Sequence, residues 1–246
     1  KAYAVNTHQG ISRNYNEDRV SITLNIKKKG VRAQFFAIYD GHGGNLCCDF
    51  LKDNLHEFLI NSSSFPSDPK RALLEAVFHH KTLSKIVFKQ KKTEGNLDRS
   101  GSCAIATLLV NDTCYVANVG DSRAIMSTEG GKVSLTLVKI IGQVIVDSRR
   151  ESFLLGVEFT ELKWSKLIIQ LKKYLAFENL SWKIVSIKNF RRFLAKDAEF
   201  GGHRGVVSPE PDIRKLKLSG KEDFIVLCCD GILERMESME VVSIVW

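Results

Sequence analysis

Apolar positions along the chain fall into short runs broken by glycine, proline and polar clusters. Val20, Ile22, Leu24 and Ile26 alternate with polar residues, which predicts a strand over Asn16 to Ile26. VRAQFFAIYDGHGG is an aromatic-rich apolar run ended by Asp-Gly and further glycines, a buried strand entering a tight loop. The period then changes. Leu46, Cys47, Phe50, Leu51, Leu55, Phe58 and Leu59 lie on one helical face of NLCCDFLKDNLHEFLI. After the loop SSSFPSDP, Asp68 reads as an N-cap and Pro69 as the first residue of a second helix. That helix runs through Ala72, Leu73, Ala76 and Val77 to about Phe88. SCAIATLLV, TCYVANV and SRAIMS read as three strands joined at Asn111-Asp112 and Gly120-Asp121, which predicts an antiparallel meander. VVSPEPDI is extended and limited by proline, and FIVLCCDGI is another buried strand ending in Asp-Gly. Ser238 is a candidate cap for a last helix, with Glu240 in its first turn.

A stretch near 133–195 breaks this rhythm. It holds Trp164 and Trp182, two of the three tryptophans, and an excess of basic residues. From Lys132 to Lys196 there are 13 Lys or Arg against 5 Asp or Glu, while the rest of the chain carries 23 of each. The formal net charge of +8 therefore belongs to one segment and is no argument for nucleic-acid binding by the whole chain. Within it, LKWSKLIIQLKKYL aligns Trp164, Leu167, Ile168, Leu171 and Leu175 on one face of a basic amphipathic helix. A surface helix packed on the core is the plainer reading; a regulator or anionic surface docking at 159–178 is the sharper one.

With 246 residues, 44% hydrophobic and 26% charged, the chain has ordinary globular composition, which excludes disordered, collagen-like and disulfide-dense classes. It is long enough for one large domain, and we expect a single domain over 1–246 with an atypical basic insert. No apolar run reaches membrane-spanning length, and KAYAVNTHQG has no signal-peptide core. The absence of an initiator Met and the apolar ending VVSIVW suggest a fragment. Six cysteines without a C-x-x-C read as buried thiols, which favours a reducing, intracellular and cytoplasmic setting, the nucleus included.

The chemistry lies in a recurrence. Three apolar strands end in a carboxylate beside glycine, at Asp40, Asp121 and Asp230, and Glu17-Asp18 precedes the first strand. A single Asp-Gly after a strand is turn chemistry. Three of them, with Glu17-Asp18, fit equally well a shared cation site at one sheet edge. Hard oxygen donors without His or Cys pairs favour Mg2+ or Mn2+ over zinc. Two such ions about 3.5–4 Å apart would activate water and clamp a phosphoryl group. His42 could donate a proton to a leaving oxygen, and Arg13 could hold two phosphate oxygens; taken singly, each reads as an ordinary solvated side chain.

The stretches GISRNYNEDRVSI, FFAIYDGHGG, DRSGSCAIATLLV, TCYVANVGDSRAIMS, GVVSPEPDI and FIVLCCDGILERM resemble the metal-dependent protein Ser/Thr phosphatases of the type 2C (PPM) family. The N-terminal wording is most similar to protist members. The resemblance covers about 1–132 and 197–240, and DGHGG, VGDSRA and CDGI in this order are a specific set. It implies an α+β fold: a central β-sandwich of two antiparallel sheets flanked by helices. It implies hydrolysis of phosphoserine and phosphothreonine on proteins at two Mg2+ or Mn2+ ions, with a third, weaker ion. Asp40 would bridge the metals, Gly41 would offer its carbonyl, Asp230 would bind one ion, and Glu17 would hold the other through water. Asp18 would support that shell, Asp121 would serve the third ion, Arg13 would bind the substrate phosphate, and His42 would be the general acid.

Two departures accompany the likeness. The family's D-H-K-P, E-x-x-R-I and S-R-A-x-G-D stretches are not found cleanly, and 133–195 reads as an insertion or a gene-model artefact. The family's closing Asp-Asn motif, with its metal-ligating Asp and the final strands, is not reached before Trp246. The alternative expectation is therefore a catalytically impaired relative acting as a phosphoprotein-binding or regulatory module.

Overall fold

In the computed structural model the alternation of side chains decides which layer each strand face joins. The structure describes residues 2–11, 14–78, 100–137 and 210–246. In chain order the elements are β1 (Arg19–Lys28), β2 (Val31–Tyr39), β3 (Gly41–His42), α1 (Leu46–Asn61), α2 (69–78), β4 (Gly101–Ser102) and β5 (Ala104–Val110). There follow β6 (Thr113–Val119), β7 (Arg123–Thr128), β8 (Lys132–Leu137), β9 (Asp212–Lys217), β10 (Glu222–Cys228), α3 (Asp230–Leu233) and α4 (Ser238–Val245). One sheet has the order β1-β2-β5-β6-β9 and another β10-β7-β8, with β3 and β4 paired as a small ribbon. Every pairing is antiparallel. All these elements belong to one unit, Lys1–Ile140 with Pro209–Trp246.

Ala33, Phe35, Ala37 and Tyr39 of β2 face α1 and α2, together with Ala106, Leu108 and Val110 of β5 and Tyr115 and Ala117 of β6. Their alternates Ile38, Ile105, Cys114 and Val116 meet Ala124, Ile225 and Leu227 of the second sheet. The outer face of that second sheet, Ile125, Phe224, Val226 and Cys228, is covered by Val241 and Val242 of α4. The layers are therefore helix, sheet, sheet, helix, and strands buried on both faces read as continuous apolar runs. This is the expected sandwich of two antiparallel sheets flanked by helices.

Three expectations are corrected. The meander ends at β6: β5 and β6 pair, but β7 lies in the other sheet, so Gly120-Asp121 is a crossing between sheets and not a hairpin turn. The side-chain amide of Asn118 donates to the Ser122 carbonyl at 2.8 Å and holds this crossing. Second, β1 does not keep one register. It shifts between Thr23 and Ile26, where Asn25 takes φ 59, and Ile26 consequently joins the helix-side core. Third, Ser238 does not cap the last helix with its side chain; its hydroxyl instead accepts from the Arg123 guanidinium at 3.3 Å.

Helix α1 buries Cys47, Cys48, Leu51, Leu55 and Leu59, close to the predicted face. Lys28 donates to the carbonyls of Ile60 at 2.5 Å and Ser62 at 3.0 Å, neutralising the helix C-terminus. Asp68 caps α2 as expected, its carboxylate accepting from the Arg71 N–H at 3.1 Å. The predicted continuation of that helix towards Phe88 lies outside the described residues, as does the basic helix at 159–178. No described helix is long and apolar enough to cross a membrane.

Phe35 is fully buried between the five-stranded sheet and α1. Phe35→Ala is expected to lower unfolding free energy by about 3–5 kcal/mol, read from the urea midpoint at constant slope. A loss below about 1 kcal/mol would contradict this packing.

Candidate functional site

Strand polarity brings the acidic residues to one end of the sandwich. Arg19 opposes Tyr39, so Asp18 before β1 and Asp40 after β2 share an edge. Ala104 opposes Val119, which puts Cys103 before β5 beside the Gly120-Asp121 crossing after β6. In the second sheet Cys228 opposes Arg123, so Asp230 after β10 lies at the same end as the crossing. The Cys103 N–H donates to the Asp40 carbonyl at 2.8 Å, stitching two of these strand ends together.

Asp40 is the centre of this group. Its carboxyl is half-buried and pushed up to about 8, first by burial and then by the charges of Asp230, Asp18 and Asp121. Oxygen atoms of Asp40 and Asp121 and the Cys103 sulfur lie within 4.8 Å of one another. Asp18 Oδ2 accepts from the Cys229 thiol at 3.2 Å, and Asp121 Oδ1 accepts from the Cys103 thiol at 3.2 Å. Burial, then the nearby Asp18, pushes the Cys229 thiol up to about 12. Each of the three charges acting most on Asp40 is a carboxylate, so the group has the donor chemistry of a hard divalent cation site.

Glu17 is buried, and its Oε1 accepts from the Gly44 N–H at 2.7 Å in the loop leading to α1. Gly41 is packed so closely that an added Cβ would meet the Glu17 carbonyl and, at 2.8 Å, the Cys48 sulfur. His42 is half-buried on β3, and its ring lies against Gly101 of β4, where an added Cβ would meet Nε2. Asp18, Asp40, Asp121 and Asp230 are thus brought together. Glu17, Gly41 and His42 lie on the segments immediately beside them, and Arg13 lies outside the described residues.

Sequence reasoning passed over three side chains here. Arg19 holds Asp49 of α1 at 2.6 Å and donates to the carbonyls of Asn16 at 2.8 Å and Asp18 at 2.9 Å, fixing the acidic turn against the helix. Cys103 and Cys229 touch Asp121 and Asp18 directly. Only Cys229 carried a signal, standing directly before Asp230; Cys103 has no acid beside it in the sequence and meets Asp121 through the pairing of β5 with β6.

Fold and site together define a helix-flanked double-sheet protein with a carboxylate cluster at one sandwich end. The Protein phosphatase 2C family profile matches residues 2–138 and 184–246, and the chain belongs to this family. It is similar to "Probable protein phosphatase 2C 67" of Arabidopsis thaliana, with 26% identity over 242 residues, 90% of this chain and 62% of that one. It is also similar to "Probable protein phosphatase 2C 56" of Oryza sativa subsp. japonica, with 27% identity over 231 residues, 93% of this chain and 57% of that one. The chain thus spans about three fifths of these relatives' length. Among solved structures, a serine-threonine phosphatase 2C from Toxoplasma gondii shares the fold with a TM-score of 0.65 at 17% identity, covering 94% of this chain and 78% of that one.

Clustered carboxylates repel until a cation joins them. Mn2+ at about 100 times its Kd is expected to stabilise the chain by about 2.7 kcal/mol, a rise of several degrees in melting temperature. In chelator, Asp40→Asn is expected to melt no lower than wild type, and Mn2+ is expected to leave it unmoved. Differential scanning fluorimetry with and without Mn2+ checks both halves.

Proposed function

We propose that this chain hydrolyses phosphoserine and phosphothreonine on proteins at a centre of two Mg2+ or Mn2+ ions, a third ion binding more weakly. The observation that carries the reading is the convergence of Asp18, Asp40, Asp121 and Asp230 from separate strand ends, with Asp40 held under their combined charge. Family membership supports the reaction class. When bound, the cations supply a water acidic enough to attack at neutral pH and neutralise charge on the phosphoryl group.

The chain's own residues take the remaining tasks. Asp40 is acted on by Asp230, Asp18 and Asp121 together and would serve both ions; Asp230 would help to hold one, and Glu17, supported by Asp18, the other through water. Gly41 would present its carbonyl to the same centre. Asp121 would hold the third, weaker ion. His42 follows Asp40 by two residues, on a ribbon anchored by its pairing to Gly101, and would give a proton to the leaving seryl or threonyl oxygen. Arg13 would bind the phosphate oxygens of the substrate. Phosphorylated proteins are the proposed substrates, and a regulator at 159–178 is the proposed use of the basic helix.

The test is hydrolysis of p-nitrophenyl phosphate and of a phosphothreonine peptide, with and without Mn2+. Turnover is expected to need the cation and to fall by about a thousandfold or more in Asp40→Asn. Metal-independent turnover, or turnover unchanged by Asp40→Asn, would overturn the assignment. A folded chain that binds the phosphopeptide without hydrolysing it would favour the phosphoprotein-binding alternative.

A further inference from the structure

Cys103 is the one cysteine among the described residues that shares a donor set with two carboxylates, those of Asp40 and Asp121. Cys47 and Cys48 lie in the helix-side core, Cys114 between the sheets and Cys228 under α4. Cys229 touches a different acid, Asp18. The Cys103 sulfur is held from several sides. Its thiol bonds Asp121 Oδ1 at 3.2 Å, its N–H bonds the Asp40 carbonyl at 2.8 Å, and the residue is 5% exposed. Gly120 packs against it as well: an added Cβ there would overlap the Cys103 sulfur and lie 2.6 Å from the Cys103 Cβ.

We propose that Cys103 is a sulfur donor of the cation centre, beside Asp40 and Asp121, and that it gives this part of the centre a preference for thiophilic divalent cations such as Cd2+, Zn2+ and Co2+ over Mg2+. The inference rests on the cation centre proposed above and adds a ligand to it. The spacing suits the chemistry. Oxygen and sulfur donors about 2.0–2.3 Å from one ion stand roughly 3–4 Å from each other, and the sulfur–carboxylate separation of 3.2 Å falls in that range. An acid-only set selects hard cations, whereas a thiolate among the donors shifts selection towards softer ones. Binding is a simple exchange: the cation takes the sulfur as thiolate, and the proton now shared with Asp121 leaves to solvent. The crossing backbone at Gly120 lies against the sulfur with no room for a side chain between them, and the hydrogen bond to Asp121 holds the sulfur on the acidic side.

The experiment titrates Cd2+ into the full chain freed of divalent cations, following the sulfur-to-cadmium charge-transfer absorption, and in parallel measures Mn2+ binding by thermal shift. Wild type is expected to show a saturable band. Cys103→Ser is expected to lose the band and to bind Cd2+ at least about tenfold more weakly. Its apparent Mn2+ affinity is expected to change far less than its Cd2+ affinity. Cys229→Ser is expected to keep the band, a comparison that holds even if Cys103→Ser folds poorly. No band in wild type that still binds Mn2+ would overturn this inference while leaving the cation centre intact. A band lost in Cys229→Ser, or kept in Cys103→Ser, would overturn it as well. A folded wild type that binds neither Cd2+ nor Mn2+ would remove the centre itself, and this inference with it.

Discussion

Carboxylates that share one end of a sandwich repel one another, and each strand that ends there must be held against that repulsion. Two like charges about 4 Å apart at an effective dielectric of about 20 cost about 4 kcal/mol, a large share of the roughly 5–15 kcal/mol that keeps a domain folded. Asp40 carries this load, with Asp230, Asp18 and Asp121 all raising its proton affinity. The fold answers by spending its most rigid material on the strand ends. Of the five-stranded sheet, β2, β5 and β6 reach the site from a framework packed on both faces. The Arg19 guanidinium ties the acidic turn to α1, and the Asn118 amide ties the crossing between sheets. A cation at this position would relieve the repulsion that the framework otherwise holds, and its binding would then be linked to folding at the site.

Much of this was legible because strand burial writes itself into the sequence. Both faces of β2, β5 and β6 are covered, and VRAQFFAIY, AIATLLV and TCYVANV are accordingly apolar almost throughout. The carboxylates were legible for the same reason, since an acid at the end of an apolar run stands out. Strand β9 was not. DIRKLK is an edge strand whose alternation of Ile213 with charged neighbours looks like a polar loop, and only its pairing with β6 makes it a strand. The sheet assignment of β7 was also hidden. Gly-Asp between two apolar runs is equally good chemistry for a hairpin and for a crossing, and what decides is the pairing of β7 with β10, about a hundred residues on, which no local signal announces. Cys103 and Cys229 were hidden by a sound general rule, since cysteines in apolar runs are usually inert packing.

The glycines beside the acids meet two different demands. Beside an acid at a strand end, glycine suggests room for a carbonyl or water to approach. At Gly231 that is sufficient, because the nearest neighbour of an added Cβ would be the Cys229 sulfur at 3.7 Å, an ordinary contact. At Gly41 and Gly120 the demand is for closeness. Gly41 lets the Glu17 backbone and the Cys48 sulfur press against β3, and Gly120, at φ +115, lets the crossing lie directly on Cys103. A methyl at either point would have to push apart two of the segments that carry the acidic group. The two glycines thus do structural work that reaches the chemistry: they set how near the strand ends come, and hence how strongly the carboxylates act on Asp40 and whether a sulfur can join them.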